Sequence, residues 1–297
     1  MRIIKTLVAF VLVLVLSFST VWASSDFCDA DESKEEYIEY DYITKQTKSF
    51  TLDDVNENAE YPIVPAYVVC PEEEPRTIVN GDTPSLTQVN ANNSPYSMVT
   101  YLYLGRDNDG DGVCENWAGG TGFMVYSNIM LTAGHCMYNA SHGTVEQMRI
   151  YIKQNSSSQN STYYYPASWI LPSQYTSNPN KNYDWCIVKT QSSIGNQTGW
   201  LGYGVATSSK TVTVSGYPDQ SGYWYYQYKN GPKTMIIQST YRCKYTCNTL
   251  GGESGAPVYD SNGIAWGIHT KNEDSSYNSG CLITSNIYNL IENYKTS

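Results

Sequence analysis

From about residue 95 onward, the chain is a series of short runs rich in Val, Ile, Tyr and Thr, separated by Gly, Asn, Ser and Pro. β-Branched and aromatic residues favour strands, and turn residues at regular spacing mark where strands end. The runs are Met98–Leu104, Gly122–Tyr126, Met148–Ile152, Trp185–Thr190, Thr211–Ser215, Tyr223–Tyr228, Thr234–Gln238, Ala256–Tyr259, Gly263–His269 and Gly280–Thr284. Strands do not alternate with helices, so the pattern predicts an all-β sandwich or barrels.

The C-terminal segment departs from this pattern. Ile287, Leu290, Ile291 and Tyr294 recur at helical spacing. Such spacing places apolar side chains on one face of a helix. Residues 285–296 are therefore predicted to form one amphipathic C-terminal helix.

The first 23 residues have the layout of a secretory signal. A positive start, Met1-Arg2-Ile3-Ile4-Lys5, precedes an apolar run over residues 7–18, and Val21-Trp22-Ala23 offers small residues at a cleavage site. A membrane anchor is the competing interpretation, but the apolar run is short for a bilayer span. The sequence predicts cleavage after Ala23 and a secreted, extracellular protein with no membrane segment afterwards.

Residues 24–76 carry most of the negative charge. They hold 15 Asp and Glu against 4 Lys and Arg, whereas residues 77–297 hold 13 against 12. The net charge of −10 is therefore the sum of −11, −1 and the +2 of the first 23 residues. Because the composition changes abruptly after Arg76, residues 24–76 are predicted to be an acidic propeptide. The sequence contains no cluster of Lys and Arg of the kind that binds nucleic acid.

Eight cysteines in a chain predicted to be exported favour disulfides over metal sites. Cys28 and Cys70 both lie in the acidic segment and can pair with each other. Cys114 and Cys136 flank the strand that leads to His135, so they are the favoured pair among the remaining six. The other four cysteines are not assigned to pairs.

Three short motifs place a histidine, an aspartate and a serine in informative surroundings. LTAGHC puts His135 directly after an apolar strand, NYDWCIV puts Asp184 at the start of another, and GGESGAP surrounds Ser254 with glycines. Each motif alone is common in structural roles. The three together, in the chain order His, Asp, Ser, differ from the orders of α/β-hydrolases and subtilisins.

The chemistry of these residue types indicates nucleophilic catalysis. A serine hydroxyl is a poor nucleophile until a base takes its proton, and an imidazole suits that task near neutral pH. A buried carboxylate then fixes the imidazole tautomer and stabilises its charged form. The backbone N–H groups of Gly252 and Ser254 are expected to bind the developing oxyanion. The sequence therefore predicts His135, Asp184 and Ser254 as a catalytic triad.

The motifs LTAGHC and GGESGAPVY resemble those of the trypsin-like serine proteases, in particular the bacterial branch of the glutamyl endopeptidases and the staphylococcal V8 protease. The resemblance covers roughly residues 77–297. It implies two six-stranded Greek-key β-barrels, over about 95–190 and about 200–284, with the active site between them and a C-terminal α-helix over 285–297. It also implies a serine endopeptidase that acts on proteins or peptides through an acyl-enzyme and requires no cofactor. The sequence gives no reason to expect an oligomer, so a monomer is predicted.

The resemblance further implies cleavage after Glu, and less readily after Asp. In that branch a His fifteen residues after the nucleophile and a hydroxyl residue five before it line the primary pocket, and here these are His269 and Thr249. An imidazole and a hydroxyl can donate hydrogen bonds to a substrate carboxylate. The alternative is that His269 is a structural core residue. Thr270 is expected to hydrogen-bond Asp184 from behind, as the corresponding residue does in relatives.

Glu253 departs from the branch, whose members usually carry an amide before the nucleophile. Upstream, Arg76-Thr77-Ile78-Val79-Asn80-Gly81 resembles an animal-type activation sequence with one extra residue before Ile78. Cleavage there would free an α-amino group that pairs with Glu253 or lies near the primary pocket. The alternative leaves Glu253 solvated or paired with a side chain.

Asp107-Asn108-Asp109-Gly110-Asp111-Gly112 imitates the start of a calcium loop. An EF-hand needs a carboxylate at its twelfth position, and Ala118 stands there. Two interpretations remain. One is a looser calcium turn held by Asp107, Asp109 and Asp111, and the other is a plain surface loop inserted in the first barrel.

Two alternative functions remain open. One is a narrow, toxin-like protease of the same branch with a single target. The other is a catalytically inactive homologue that binds a partner or a cell surface. The complete set of triad residues and oxyanion glycines argues against the inactive homologue. A broad protease and a narrow one differ in surface loops whose conformations the sequence does not predict.

Overall fold

The computed structural model describes residues 35–52, 60–69, 86–156, 158–219, 225–272 and 276–295. The predicted signal peptide and the predicted cleavage region around Arg76 lie outside these residues. In the described part, no helix is long and apolar enough to cross a membrane.

Strands dominate the described residues. They are β1 Glu36–Asp41, β2 Thr47–Thr51, β3 Thr87–Gln88, β4 Val99–Arg106, β5 Asn116–Met124, β6 Ile129–Thr132, β7 Tyr138–Asn139, β8 Gly143–Thr144, β9 Gln147–Ile152, β10 Pro166–Pro172, β11 Cys186–Thr190, β12 Gly202–Tyr203, β13 Lys210–Gly216, β14 Tyr228–Ile237, β15 Arg242–Tyr245, β16 Pro257–Tyr259, β17 Ile264–Asn272 and β18 Asn278–Leu282. The helices are α1 Gly134–Met137, α2 Ser173–Ser177, α3 Gly195–Thr198 and α4 Ser285–Lys295, with 3-10 turns at Tyr96–Met98 and Lys181–Tyr183.

The first sheet orders its strands β2-β1-β10-β11-β6-β5-β4-β9. Six of them, β4 to β6 and β9 to β11, curl into the first barrel, because a bridge between Ile150 and Tyr164 joins β9 to the residues just before β10. Its interior is filled by buried apolar side chains such as Leu102, Met130 and Val188. Alternating inward positions along each strand supply this core.

The second sheet closes completely. Strands β17-β16-β13-β14-β15-β18 pair in sequence, and β18 pairs back to β17, giving a six-stranded barrel around Val214, Met235 and Val258. Strand β12 adds to β17 in parallel and β3 adds to β14 at the rim. The two-barrel all-β fold predicted from the sequence is confirmed.

Helix α4 confirms the predicted C-terminal helix. Ile287, Leu290 and Ile291 are fully buried, as the helical spacing required. The end of the same face is fixed by a hydrogen bond, because Tyr294 Oη donates to Glu39 Oε2 at 2.9 Å. The helix therefore packs against the body by one apolar face and reaches β1 with its last turn.

The predicted propeptide contributes two strands that the sequence analysis did not anticipate. Strand β1 pairs with β10 from Tyr37 opposite Pro172 to Asp41 opposite Ser168, and β2 pairs with β1. The acidic composition concealed an alternation in which Tyr37 and Glu39 face inward and are buried. Residues 36–51 are therefore part of the first sheet.

All six cysteines in the described ranges are free thiols. The disulfide expected between Cys114 and Cys136 is therefore not present in the structure. Cys136 is buried and its thiol donates to the Ser254 carbonyl at 3.6 Å, whereas Cys114 is partly exposed beside the acidic loop. Cys28 and Cys70 lie outside the described residues, so their pairing stays a prediction.

Candidate active site

His135 is presented by a tight junction between the first barrel and a one-turn helix. Strand β6 ends at Thr132, fully buried, and α1 carries His135 in its second position. Gly134 favours this close approach, because a Cβ on it would lie 3.0 Å from Trp185 N and 3.2 Å from Asp184 Cα. The missing side chain lets the segment that carries Asp184 approach His135.

Asp184 holds His135 through several bonds. His135 Nδ1 lies 3.0 and 2.9 Å from the two carboxylate oxygens, and the His135 backbone N–H donates to Asp184 Oδ1 at 2.8 Å. Burial opposes ionisation of Asp184, but the His135 ring, these hydrogen bonds and the charge of Arg242 together hold its pKa below the usual value. A buried carboxylate on Nδ1 favours the tautomer whose Nε2 can accept a proton.

Ser254 sits in a turn that only glycines permit. Gly252 and Gly255 have φ of 94° and 88°, a region that residues with a Cβ rarely adopt. A Cβ on Gly255 would also come within 2.1 Å of Thr121 O. Ser254 O accepts from Thr121 N–H at 2.9 Å, and this bond ties the turn to β5 of the first barrel.

The backbone around Ser254 leaves two N–H donors unused. Gly251 O accepts from Asp219 N–H at 2.6 Å, which turns the Gly252 N–H of the same peptide plane to the opposite side. Within the described residues, neither Gly252 N–H nor Ser254 N–H has a hydrogen-bond acceptor. Two unengaged donors flanking a serine are the arrangement that an oxyanion site needs.

The Ser254 hydroxyl itself donates to Thr270 O at 3.4 Å. Among the described residues it makes no hydrogen bond to the His135 ring. Catalytic hydrogen bonds are commonly long before substrate binds and tighten in the complex. The structure thus brings His135 and Asp184 into direct contact and ties the Ser254 turn to the first barrel by the Thr121 bond.

His269 lies on β17, next to the serine turn. Its backbone N–H donates to Ala256 O and its carbonyl accepts from Gly255 N–H, both at 2.8 Å. Its ring Nδ1 is 2.8 Å from Tyr245 Oη, and the residue is only 3% exposed. Burial, followed by the charges of His135 and Arg242, lowers the pKa of His269 to about 3, so the ring is neutral near pH 7.

The two hydroxyl residues predicted beside this site are placed differently. Thr249 is half-buried in the irregular segment before Gly251. Thr270 does not reach Asp184 from behind, as had been expected. Its hydroxyl donates to Ser279 O at 3.3 Å and accepts from Arg242 at 3.2 Å, at a register shift in the pairing of β17 with β18.

Arg242 is a buried residue that the sequence analysis missed. Its guanidinium donates to Lys181 O at 2.8 Å, in the 3-10 turn just before Asp184, and also bonds Ser279 Oγ at 2.5 Å. It therefore ties β15 of the second barrel to the loop that carries Asp184. Nothing in the sequence around Arg242 distinguishes it from an ordinary arginine on a strand surface.

Glu253 is fully buried directly before Ser254. Its Oε2 accepts from Leu250 N–H at 2.7 Å, while Oε1 has no hydrogen-bond partner among the described residues. Burial raises the pKa of Glu253 to about 8. Within the described part of the chain Glu253 is thus neither solvated nor paired with a side chain, and its raised pKa favours the protonated form at neutral pH.

Replacing Glu253 by Gln is expected to remove a pH-dependent loss of stability. Because the pKa of Glu253 is raised from 4.5 to about 8 on folding, the stability it contributes is present below pH 4.5 and declines as the pH rises towards 8. The decline is about 1.4 kcal/mol per pH unit. The test compares melting temperatures of the Ser254→Ala chain with and without Glu253→Gln at pH 5 and pH 8.

The melting temperature of the Glu253→Gln chain should rise relative to that of the chain with Glu253 as the pH increases from 5 to 8. The pairwise comparison cancels the titration of His269, whose lowered pKa acts in the opposite direction. A gap that is equal at both pH values would show that Glu253 is already ionised in the folded chain.

The acidic loop of the first barrel gathers its carboxylates. One ligand atom each from Asp107, Asp109, Asp111 and Glu115 lie within 4.8 Å of one another. Asp107 accepts from two backbone N–H groups inside the loop, and those bonds lower its pKa. Calcium binding by this loop stays a prediction.

Comparison with known proteins places the chain in a family. Residues 89–294 match the trypsin family. The chain is 31% identical over 281 residues to a glutamyl endopeptidase of Bacillus licheniformis, covering 88% of this chain and 82% of that protein. It is also 31% identical over 231 residues to a Bacillus subtilis protein named extracellular metalloprotease, covering 74% and 70%.

A solved structure gives the same result. The structure of a Glu endopeptidase in complex with MPD superposes with a TM-score of 0.61 at 27% identity, covering 74% of this chain and all of that one. Its match extends over both barrels, since the whole of that chain is covered. The chain therefore belongs to the trypsin family and is a serine endopeptidase of the branch that contains the glutamyl endopeptidases.

Proposed function

We propose that this endopeptidase cleaves peptide bonds after Glu, and less readily after Asp, by way of an acyl-enzyme. The observation that carries the catalytic assignment is the buried Asp184 carboxylate on His135 Nδ1 at 2.9 Å. Ser254 is the nucleophile, His135 is the general base and then the general acid, and Asp184 orients and stabilises the imidazole.

Each step uses a group already described. His135 Nε2 takes the Ser254 proton as Oγ attacks the substrate carbonyl carbon. The carbonyl oxygen, now negative, is stabilised by the unused N–H groups of Gly252 and Ser254. His135 then gives the proton to the leaving amine, and water repeats the sequence on the acyl-enzyme. No metal ion or cofactor takes part in these steps.

Recognition of Glu is assigned to His269 and Thr249. The Tyr245 hydroxyl bonds His269 Nδ1, so Nε2 is assigned as the donor to a substrate carboxylate. A neutral His269 ring can donate from Nε2 to a carboxylate only in the tautomer that carries its proton on Nε2. The Tyr245 hydroxyl favours this tautomer when it donates its own proton to Nδ1. The hydroxyl of Thr249 supplies the second donor to this carboxylate. The similarity to glutamyl endopeptidases supports this assignment.

We further propose that the chain is exported as a proenzyme and works outside the cell. The signal-like first 23 residues and the acidic segment 24–76 support this proposal. Cleavage near Arg76 to Ile78 would then produce the mature N-terminus. Sequencing the N-terminus of the secreted form tests it, and a mature chain that began well away from residues 77–79 would contradict it.

The defining experiment is a digest of an unfolded protein mixture, with cleaved bonds identified by mass spectrometry. The processed protein should cut after Glu, and the Ser254→Ala form should cut nothing. A metal chelator should leave the rate unchanged, whereas a serine-directed inhibitor should abolish it. The chelator distinguishes this mechanism from metal-dependent hydrolysis, which the name of the Bacillus subtilis relative, extracellular metalloprotease, suggests.

The alternatives predict different digests. Cuts after another residue would keep the triad and remove the assignment of His269 and Thr249. Absence of cuts from fully processed protein would favour a toxin-like protease with a single target or an inactive homologue. If calcium binds Asp107, Asp109 and Asp111, it would stabilise the surface loop and take no part in the chemical steps.

A further inference from the structure

The N-terminal arm, defined as residues 35–52 and 60–69, lies outside residues 89–294, which match the family. Its first part extends the first barrel. Strand β1 pairs with β10 at five successive positions, and Tyr37 is fully buried against Phe50 and Trp185, with ring centroids 5.6 and 6.0 Å away. Trp185 directly follows Asp184, so the arm covers the back of the segment that carries the catalytic carboxylate.

A buried carboxylate fastens the arm at a second place. Glu39 accepts from Ser168 Oγ on β10 and from Tyr294 Oη on α4, both at 2.9 Å, and pairs with Lys48 at 2.9 Å. Burial opposes its ionisation, but Lys48 and the two hydroxyls hold the pKa of Glu39 below its usual value. Removing the arm would leave these two hydroxyls without this acceptor.

The second part of the arm crosses to the region between the barrels. Val64 pairs with Tyr203 and Tyr67 pairs with Trp200, each by two backbone hydrogen bonds of 2.9 to 3.0 Å. The Tyr67 ring stacks on Trp200 at 4.2 Å. Tyr288 of α4 donates to the carbonyl of Pro62 at 3.0 Å.

The body of the protein is shaped to receive this part of the arm. A Cβ on Gly199 would lie 2.2 Å from Tyr67 O, and a Cβ on Gly202 would lie 2.2 Å from Val64 O. A residue with a Cβ at either position would therefore clash with the backbone of the arm. Two glycines of the protease domain therefore leave space that the arm backbone occupies.

The arm does not obstruct the catalytic residues. Among the described residues, no hydrogen bond, ion pair or ring contact joins the arm to His135, Ser254 or His269. Its hydrogen bonds and ring contacts reach β10, Val145, Trp185, Trp200, β12 and α4. Occupancy by the arm and catalysis are thus sterically compatible.

We propose that the arm stays bound to the protease domain after the chain is cut between Val69 and Leu86, so that the working enzyme consists of two non-covalently associated chains. The binding surface is the edge of β10 that pairs with β1, together with Gly199, Gly202 and α4, and its partner is this chain's own N-terminal segment. The proposal relies on the proposed processing only for its occurrence in the cell, and its test supplies the cut artificially.

The test uses the Ser254→Ala chain with residues 71–77 replaced by the recognition sequence of a site-specific protease absent elsewhere in the chain. The folded protein is cut and then analysed by size-exclusion chromatography and native mass spectrometry in a thiol reductant. The reductant ensures that no disulfide through Cys28 or Cys70 retains the arm. We expect one species that has the mass of the uncut chain plus one water, and two chains after denaturation.

Two variants of the cut protein sharpen the result. Tyr37→Ala should release the arm at least about 100-fold faster, because it removes a fully buried aromatic ring. Ile43→Ala, at a residue 71% exposed in the turn after β1, should leave retention unchanged. Separation of the unsubstituted arm under native conditions, with the remaining domain still folded by circular dichroism, would overturn the proposal and leave the catalytic assignment untouched.

Discussion

Replacing Asp184 by Asn is expected to lower kcat/KM by about 10⁴-fold while the protein stays folded. An amide in this position would donate to His135 Nδ1 instead of accepting from it. The ring would then carry its proton on Nε2 and could not take the Ser254 proton. The magnitude is the one established for the corresponding change in well-studied members of this enzyme class, and the geometry here gives reason to expect the same.

The loss should be specific to this carboxylate. Asp184 is 4% exposed and bound to His135 through both oxygens, so its replacement acts on the tautomer. Asp109→Asn, on the exposed acidic loop, makes the same chemical change away from the triad and should leave kcat/KM within about twofold. Both variants should melt as one cooperative transition. An Asp184→Asn enzyme with more than a tenth of the original kcat/KM would show that this carboxylate does not set the tautomer.

The parts of the molecule predicted from sequence share one property, which is that short-range patterns determine them. The alternating runs of the barrels and the helical spacing of Ile287 and Leu290 follow from local periodicity. The motifs around His135 and Ser254 depend on glycines whose conformations are fixed within a few residues. The positive φ values of Gly252 and Gly255 are such local conformations.

The parts that escaped prediction depend on contacts between residues far apart in sequence. Strand β1 is stabilised by β10, and Tyr37 lies opposite Pro172, so its acidic sequence alone gave no strand signal. The Thr270 hydroxyl is taken by Arg242 and Ser279, which a motif transferred from relatives cannot show. Whether Glu253 is buried or solvated also depends on the packing of several loops.

Replacing His269 by Leu is expected to lower kcat/KM for Glu substrates by about 100-fold and to affect substrates with an apolar residue at that position far less. A substrate carboxylate in the pocket would lose a donor worth about 3 kcal/mol when the acceptor is charged. Because the pKa of His269 is about 3, the ring acts as a neutral donor throughout the working range. Glu preference should therefore not weaken between pH 6 and pH 9 through titration of this ring.

Tyr245→Phe separates recognition from simple packing. It keeps the buried ring and removes only the hydroxyl at 2.8 Å from His269 Nδ1. Without that hydroxyl the His269 proton is free to move to Nδ1, so the Glu substrate should lose about tenfold in kcat/KM, a change of about 1.4 kcal/mol. Reaction with an active-site serine reagent that lacks a carboxylate should stay unchanged, because the triad is intact. Equal losses for the Glu substrate and for the reagent would mean that Tyr245 and His269 support the fold of β17 and do not select the substrate.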